Sequence, residues 1–356
     1  MKEIDNWTGE IHEGDAVEVL TRMPENSVNM CMTSPPYWNL RDYDHDDQLG
    51  LEPDSDEYVS NIADVMDEVE RVLRPDGSLW LNLGDTYENK NLQQIPARVS
   101  LELQRRGWIL RNRVTWEKPN PMPESVKDRL NTTTEAVFHL TPEPDYWYDL
   151  DAIREPHAES PKRPISQNDG NPVNNPNPQG QPDSEQNLNP ENLTHPAGKN
   201  PGDVFEVATK PFSDAHFAVY PSKLCEKPIK ASCPPQVCVG CGAPYEREKE
   251  EPDREYERGN EEWRDGANLG NPQRDHDGNW NYEAEFHGWT PTCECDTDTT
   301  EPGICLDPFA GAGTTCMVAD ELGRRWTGID INPEYVDIAD ERMGVTKSEH
   351  KSATDW

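Results

Sequence analysis

Basic residues are scarce in this chain. It has 33 Lys and Arg against 69 Asp and Glu, a formal charge of −36 over 356 residues. Hydrophobic residues are few as well, at 33%, and no run of them approaches the length that crosses a bilayer. The opening Met1-Lys2-Glu3-Ile4-Asp5 lacks the apolar stretch of a secretory signal. These shortages exclude a membrane span and point to the cytoplasm. So low an apolar fraction by itself suggests disorder. Against that stand 11 Trp and 11 Tyr, set among short strand-like and helix-like runs, which indicate a folded core under an acidic surface. Salt-adapted proteins carry such surfaces, because high ionic strength screens the self-repulsion. The alternative is an acidic mimic of nucleic acid. The acid is spread along the whole chain rather than gathered in a tail, which favours salt adaptation. The length allows one large domain with insertions, or two domains.

One stretch lacks aromatics altogether. No Phe, Trp or Tyr occurs between Tyr148 and Phe205, and Ser166–Pro176 is rich in Asn, Asp, Gly and Pro. Residues 155–200 cannot bury enough surface to order themselves and read as a flexible loop. Elsewhere the pattern is regular. Val28–Met32 reads as a strand, ended by Thr33-Ser34-Pro35-Pro36-Tyr37, because neither proline can donate to a ladder. A stiff turn at a strand's carboxyl end, with a hydroxyl, free carbonyls and a ring, lies where open α/β sheets bind ligands. Apolar residues at 62, 65, 66, 69, 72 and 73 predict a helix over 58–73, stopped by Arg74-Pro75-Asp76-Gly77. Ser78–Asp85 reads as a buried strand with a polar exit, 96–106 as a helix and Trp108–Trp116 as a strand. From Arg98 to Arg129 eight basic residues face four acids (8 − 4 = +4), a local reversal of sign. It is a candidate phosphate-contacting face, or else a surface of paired charges.

Cysteine is not scarce. Nine thiols in a reducing compartment suggest metal or burial rather than disulfides. Cys238 and Cys241 form a CxxC-Gly knuckle, and Cys293 and Cys295 follow a long acidic insertion. Four thiolates on two tight turns complete a tetrahedral, structural zinc site; the alternative is four free thiols. Cys31, Cys305 and Cys316 lie in apolar runs and read as core.

Near the other end, Gly303–Asp307 reads as a buried strand. Pro308-Phe309-Ala310-Gly311-Ala312-Gly313-Thr314-Thr315 then leads into a helix, and Arg325–Asp330 is a second strand. Strand, Gly-x-Gly turn and helix form a nucleotide-cofactor arrangement, because glycine lets a ligand approach the backbone. Phosphate is disfavoured: there is no Gly-Lys-Ser/Thr, and Asp307 would repel an anion. A cofactor with a cationic end fits better. Asp330 lies 23 positions (330 − 307) beyond Asp307, the spacing at which a carboxylate takes ribose hydroxyls.

With both halves in view the sequence resembles the S-adenosylmethionine-dependent DNA amino-methyltransferases, in the group whose catalytic motif precedes the cofactor motif. Ser34-Pro35-Pro36-Tyr37 matches the catalytic tetrad, and Asp307–Thr315 the cofactor motif. Gly14-Asp15 matches the short motif near the cofactor, and Asp330 the ribose-binding acid. Lys118-Pro119-Asn120-Pro121-Met122-Pro123 and His216-Phe217-Ala218-Val219-Tyr220-Pro221 look like segments beside the base and the methionine end. The resemblance implies a Rossmann-like α/β fold with a mostly parallel central sheet, a small zinc-binding insertion and a disordered loop. The methyltransferase domain would comprise 1–154, 201–232 and 301–345, interrupted by the loop at 155–200 and the four-cysteine insertion at 233–300, with a tail at 346–356. Asp15, Thr33, Phe217, Asp307, Pro308, Phe309, Gly311, Gly313, Thr314 and Asp330 would hold the cofactor.

The implied chemistry suits the residues. An exocyclic amine is a poor nucleophile because its lone pair is delocalised into the ring. Ser34 Oγ and the Pro35 carbonyl would accept its two protons in the transition state. Tyr37 would stack on a base flipped out of the duplex. Relatives with Asp or Asn first in the tetrad mostly methylate adenine N6 and those with Ser cytosine N4, so Ser34 points to N4-methylcytosine. An adenine-N6 enzyme, a catalytically silent nucleic-acid-binding protein and an RNA or protein methyltransferase are the alternatives. The resemblance implies double-stranded DNA as partner, allows a cognate restriction endonuclease, and is compatible with a monomer or homodimer. Target choice is expected in residues 120–200 and the cysteine-bearing insertion.

Overall fold

Helix and strand alternate from the start of the chain. β1 (Ile11–Glu13) leads into α1 (Ala16–Leu20), β2 (Val28–Thr33), α2 (Ser55–Val72) and β3 (Leu73–Leu83). A small hairpin of β4 (Tyr87–Glu88) and β5 (Asn91–Leu92) precedes α3 (Ile95–Arg106), and β6 (Ile109–Glu117) and β7 (Thr134–Thr141) follow it. β8 (Val204–Glu206) and α4 (Ser222–Ser232) come next. Four short strands are then β9 (Val237–Cys238), β10 (Tyr245–Arg247), β11 (Trp289–Pro291) and β12 (Thr300–Glu301). β13 (Ile304–Asp307), α5 (Thr314–Glu321), β14 (Arg325–Asp330) and α6 (Pro333–Met343) complete the series. These elements belong to a computed structural model that describes residues 3–41, 48–156, 198–209, 220–248 and 288–344. Most of the Asn/Pro-rich loop, the centre of the acidic insertion, Phe217 and the 346–356 tail lie outside them.

Eight strands form one sheet in the order β1-β14-β13-β2-β3-β7-β6-β8. The pairs from β1 through β3, and β6 with β8, are parallel, while β7 runs antiparallel to both its neighbours. This is the expected mostly parallel α/β architecture. At its centre β13 lies beside β2, with Cys305 opposite Met30 and Leu306 opposite Cys31. Strands separated by more than 270 residues therefore end side by side.

Side chains alternate across the sheet. Val28 and Cys31 join one buried cluster with Leu20, Tyr58, Ile62, Met66 and Leu103 of α1, α2 and α3. Met30 and Met32 join another with Leu224, Ile229, Val318 and Ala339 of α4, α5 and α6. The sheet is thus covered on both faces, as a parallel sheet requires. Helix α2 starts where Asp54 accepts hydrogen bonds from the Asp56 and Glu57 amides, each at 2.9 Å. The expected stop at Arg74–Gly77 is drawn into β3, whose parallel pairing with β2 slips between Val28 and Met30.

Of the second compact unit (154–201 and 252–285), residues 154–156 and 198–201 are described, and an antiparallel bridge pairs Glu155 with Lys199. β7 falls inside the segment expected to vary with the DNA target. Its Val137, Phe138 and Leu140 are buried, so that segment includes a core strand.

His139 of β7 is buried too. Its ring stacks on Trp80 with centroids 4.4 Å apart, and Nε2 lies 3.2 Å from Ser78 Oγ. Burial, aided by the Arg111 charge, pushes its pKa down to about 3. An unfolded chain binds that proton near its ordinary value of about 6.5. Stability contributed by neutral His139 is therefore complete above that value and drains away as pH falls toward 3. His139→Phe should flatten the fall of the unfolding midpoint between pH 6.5 and 4. A decline as steep as that of the parent chain would contradict this account.

Candidate active site

The carboxyl ends of β1, β2, β13 and β14 open on one cleft, whose empty space, open solvent included, is about 940 Å³. Its wall includes Asp15, Ser34, Pro36, Pro308, Phe309, Gly311, Thr314 and Asp330. The two motifs, distant in sequence, thus face the same space. Gly311 and Gly313 take positive φ, 51° and 73°, which glycine does at little cost. The turn is then clamped from below: Gly311 N donates to Asp330 Oδ2 at 2.7 Å and Asn332 N donates to Oδ1 at 2.9 Å. Burial pushes the Asp330 pKa up to about 6 against those two amides. Each carboxylate oxygen keeps a further lone pair for a ligand. Asp15 caps α1, accepting from Glu18 N at 3.0 Å. Among the described residues lining the cavity there are two acids and no Lys or Arg, the balance that suits a ligand with a cationic group.

Thr33, Asp307 and Gly313 do not form part of that wall. Asp307 is buried and accepts from Thr33 Oγ1 at 2.6 Å, from Phe309 N at 3.1 Å and from Tyr220 OH at 3.1 Å. Burial raises its pKa, opposed by these donors. Thr315 Oγ1 donates to Met32 O at 3.1 Å and is also hydrogen-bonded to Tyr220 OH. These bonds lock the end of β2 to the end of β13. A Cβ on Gly313 would lie 3.0 Å from Ala339 Cβ, so this glycine lets α6 pack against the turn.

The Pro-Pro turn holds a tighter cluster. Tyr58 OH donates to Pro36 O at 2.8 Å. The Tyr37 ring lies against Gly84, where a Cβ would come within 2.5 Å of Cε2. Tyr37 OH donates to Glu135 Oε2 at 2.6 Å and accepts from Asn82 Nδ2 at 2.7 Å and from Ser34 Oγ at 3.1 Å. Lys118 Nζ pairs with Glu135 Oε1 and lies 4.6 Å from the centroid of the Trp116 ring. Burial first, then Glu135, raises the Tyr37 pKa well above its usual value. Ser34 and Pro36 line the cavity, and Pro35 and Tyr37 are their chain neighbours outside its lining. Glu135 and Asn82 escaped the sequence reading. Asn82 was visible only as a polar residue within an apolar strand, and nothing local marks Glu135.

The positive run over 98–129 forms a surface of paired charges. Arg98 pairs with Asp56, Arg105 with Glu102, Arg106 with Glu102, Asp64 and Asp67, Lys118 with Glu135, and Arg129 with Glu124. Five of its eight cations are engaged this way, so the expected phosphate face is largely neutralised within the protein.

Cys238, Cys241, Cys293 and Cys295 converge, with all four sulfurs within 4.8 Å of one another. β9 and β12 pair beneath them, Thr300 opposite Cys238. The Gly242 amide closes the first knuckle on Cys238 O at 2.7 Å, with Gly242 at φ 76°. Cys31, Cys305 and Cys316 are buried, as are Cys225 and Cys233. Among the described residues no helix is long and apolar enough to cross a membrane.

Known proteins resemble this chain. A family model described as DNA methylase matches residues 28–240 and 296–341. The type II methyltransferase M.SfiI of Streptomyces fimbriatus is 32% identical, with 92% of this chain and 89% of that protein covered. M.Cfr9I of Citrobacter freundii is 31% identical, with coverage of 94% and 87%. Among solved structures, the PvuII DNA methyltransferase, cytosine-N4-specific, shares the fold at a TM-score of 0.55 and 18% identity, over 95% of this chain and 87% of that one.

Proposed function

The chain belongs to the S-adenosylmethionine-dependent DNA amino-methyltransferases, and from that premise we propose that it methylates N4 of cytosine at a specific site in double-stranded DNA. The observation that carries this reading is Ser34, on the wall of an acid-lined cavity and hydrogen-bonded to Tyr37. Serine at that position accompanies N4-cytosine chemistry in the family, and the PvuII enzyme of the same fold is cytosine-N4-specific. The bound cofactor supplies an electrophilic methyl group. Asp330 would take its ribose hydroxyls, and Pro308, Phe309, Gly311 and Thr314 would line its seat. Asp15 would face its cationic end, and Phe217 belongs to the same proposed set. Asp307 and Thr33 would act from beneath, by fixing the turn, and Gly313 by letting α6 pack there.

The target base is flipped into the site, since its amine is out of reach within the duplex. Ser34 Oγ and Pro35 O would then accept the two amine hydrogens, favouring a pyramidal nitrogen whose lone pair can attack. Pro36 stiffens the corner. Tyr37 would present the accessible part of its ring to the base, with its far side braced on Gly84. Holding amine and methyl in line contributes much of the remaining acceleration. The type II relatives make a cognate restriction endonuclease the natural partner in this reading, with the protein acting as monomer or homodimer in the cytoplasm.

DNA from cells expressing the protein, digested to nucleosides, should contain N4-methylcytosine. N6-methyladenine instead would overturn the base assignment, and no modified base would overturn the activity.

We assign the four converging cysteines to structural zinc. Zinc–sulfur bonds of about 2.3 Å leave no open position in a tetrahedral four-thiolate site, so the metal would hold the insertion together and take no part in catalysis. Purified protein should carry one zinc per chain. Cys295→Ser should lose it and lower the unfolding midpoint by roughly 10 °C. Metal-free protein with an unchanged midpoint would refute the assignment.

A further inference from the structure

We infer that Glu135 sets the direction of the hydrogen bonds running through Tyr37 and Ser34, and receives the proton that leaves the methylated amine. The inference rests on the amine-methylating reading and deepens it. A carboxylate has no hydrogen to give, so the 2.6 Å bond from Tyr37 OH to Glu135 Oε2 has only one polarity. The Tyr37 oxygen must then accept, and it does so from Asn82 Nδ2 and from Ser34 Oγ at 3.1 Å. With its single hydrogen committed to Tyr37, Ser34 Oγ shows only lone pairs to the cavity. One of them is also approached by Asn82 Nδ2 at 3.3 Å.

That polarity is a specificity device. An exocyclic amine brings hydrogens and is welcomed; a carbonyl at the same ring position brings lone pairs and meets lone pairs. A site built to hydrogen-bond a substrate group discriminates strongly against an analogue that cannot complete the bond. A serine hydroxyl alone could turn either way. The orientation comes from Glu135, 101 positions away (135 − 34). The groups that converge on Glu135 are Tyr37 from the turn after β2, Asn82 from β3, at 3.0 Å from Oε2, and Lys118 beyond the end of β6, on Oε1. All three donate, and Glu135 alone among them accepts on every bond.

The same chain disposes of a proton. When the amine lone pair forms the new N–C bond, the bond from methyl carbon to sulfur breaks with its electrons left on sulfur, and the nitrogen becomes cationic. One nitrogen-bound proton then passes to Ser34 Oγ. The Ser34 proton moves to the Tyr37 oxygen, and the Tyr37 proton to Glu135 Oε2. Both hydroxyls end neutral and reversed, Glu135 ends protonated, and the base ends neutral. Glu135 acts through Ser34 and Tyr37 and is a positioning residue.

Glu135→Gln is the direct test. The charged Lys118 donor should draw the amide oxygen to its own side, leaving an amide N–H facing Tyr37 and the chain of hydroxyls reversed. Binding is read in the presence of S-adenosylhomocysteine, which supplies no methyl, with duplexes carrying cytosine or uracil at the target position. The parent protein should prefer cytosine by about 100-fold, and Glu135→Gln should bring the ratio close to 1 with cofactor affinity within about twofold. Single-turnover methylation should fall by about 100-fold and recover as pH rises, because solvent base must replace the lost acceptor. Should Glu135→Gln fail to bind cofactor, Tyr37→Phe cuts the chain at its middle and predicts the same loss of preference. A variant that binds cofactor and keeps both the cytosine preference and the pH profile overturns the inference. If the parent protein methylates no base in DNA, the underlying reading falls instead.

Discussion

Replacing Ser34 and Tyr37 together by Ala should leave S-adenosylmethionine bound and reduce methyl transfer by about 1,000-fold or more. The separation is expected because the cofactor half of the cavity, Pro308, Phe309, Gly311 and Asp330, is anchored without these two side chains. Its turn is held by Asp330 and Asn332, and β2 is tied to β13 through Thr33, Asp307 and Thr315. What disappears is an acceptor for the amine and the ring beside the base, both of which act on the transition state more than on the bound substrates. Losing a Tyr ring also opens space beside Gly84, so some stability goes with it. Ser34→Ala alone removes one hydroxyl and should still lower the rate about 100-fold with an unchanged unfolding midpoint. Calorimetric titration with cofactor, paired with single-turnover methylation, separates the two quantities. Cofactor affinity falling in parallel with rate would mean that the Pro-Pro turn supports the cofactor rather than the base.

Asp330→Ala should have the opposite profile, weakening S-adenosylmethionine binding by about 100-fold. Two losses combine. The carboxylate no longer accepts from ribose hydroxyls, and the Gly311 and Asn332 amides lose the acceptor that fixes the turn. Removing one partner of a buried, charged hydrogen-bond set is worth about 2–5 kcal/mol, and 100-fold corresponds to about 2.7 kcal/mol. A pH signature accompanies it. Burial holds the Asp330 carboxyl at about 6, so cofactor affinity of the parent protein should decline as pH falls below that value and the carboxylate gains a proton. In Asp330→Ala that limb should vanish. Calorimetry at pH 5 and pH 7.5 on both proteins decides it, and equal pH dependence in the two would place the titrating group elsewhere.

Local patterns carried most of the fold into view. The body of α2 follows from apolar residues spaced to one face and from the stop at Arg74-Pro75-Asp76-Gly77, while its first turn at Ser55, capped by Asp54, lay ahead of the expected start at 58. The strand-glycine-helix-strand unit from β13 to β14 is contiguous, so its cavity wall could be read from neighbours. Contacts made across the sheet could not. Tyr37 meets a carboxylate 98 positions on, and nothing in Thr134–Thr141 distinguishes Glu135 from an ordinary strand-edge acid. The same strand was hidden for a second reason: polar residues flank it, and its buried His139 breaks the apolar pattern. Asp307 was legible as an important acid but not as one turned inward onto Thr33 and Tyr220. The positive run from Arg98 to Arg129 left a phosphate face and a surface of paired charges both open, because composition counts charges and cannot see partners. Four of its arginines face acids of α2, α3 or the loop after β6.

The seam between β2 and β13 also governs how the protein comes into being. Among the described residues β1 pairs with β14 alone, Ile11 opposite Gly328, and β2 has β13 on one side. A ribosome that has made β1, β2 and β3 has therefore made an incomplete sheet. Its open edge waits until residues 304–330 emerge. Contacts so distant in sequence form slowly, and an unpaired edge is a template for joining another chain. The excess of acid, which totals −36 over the full chain, is spread along its length and makes such unfinished chains repel one another. The acidity that disfavours contact with DNA phosphates thus protects the long wait between the first strand and its partner.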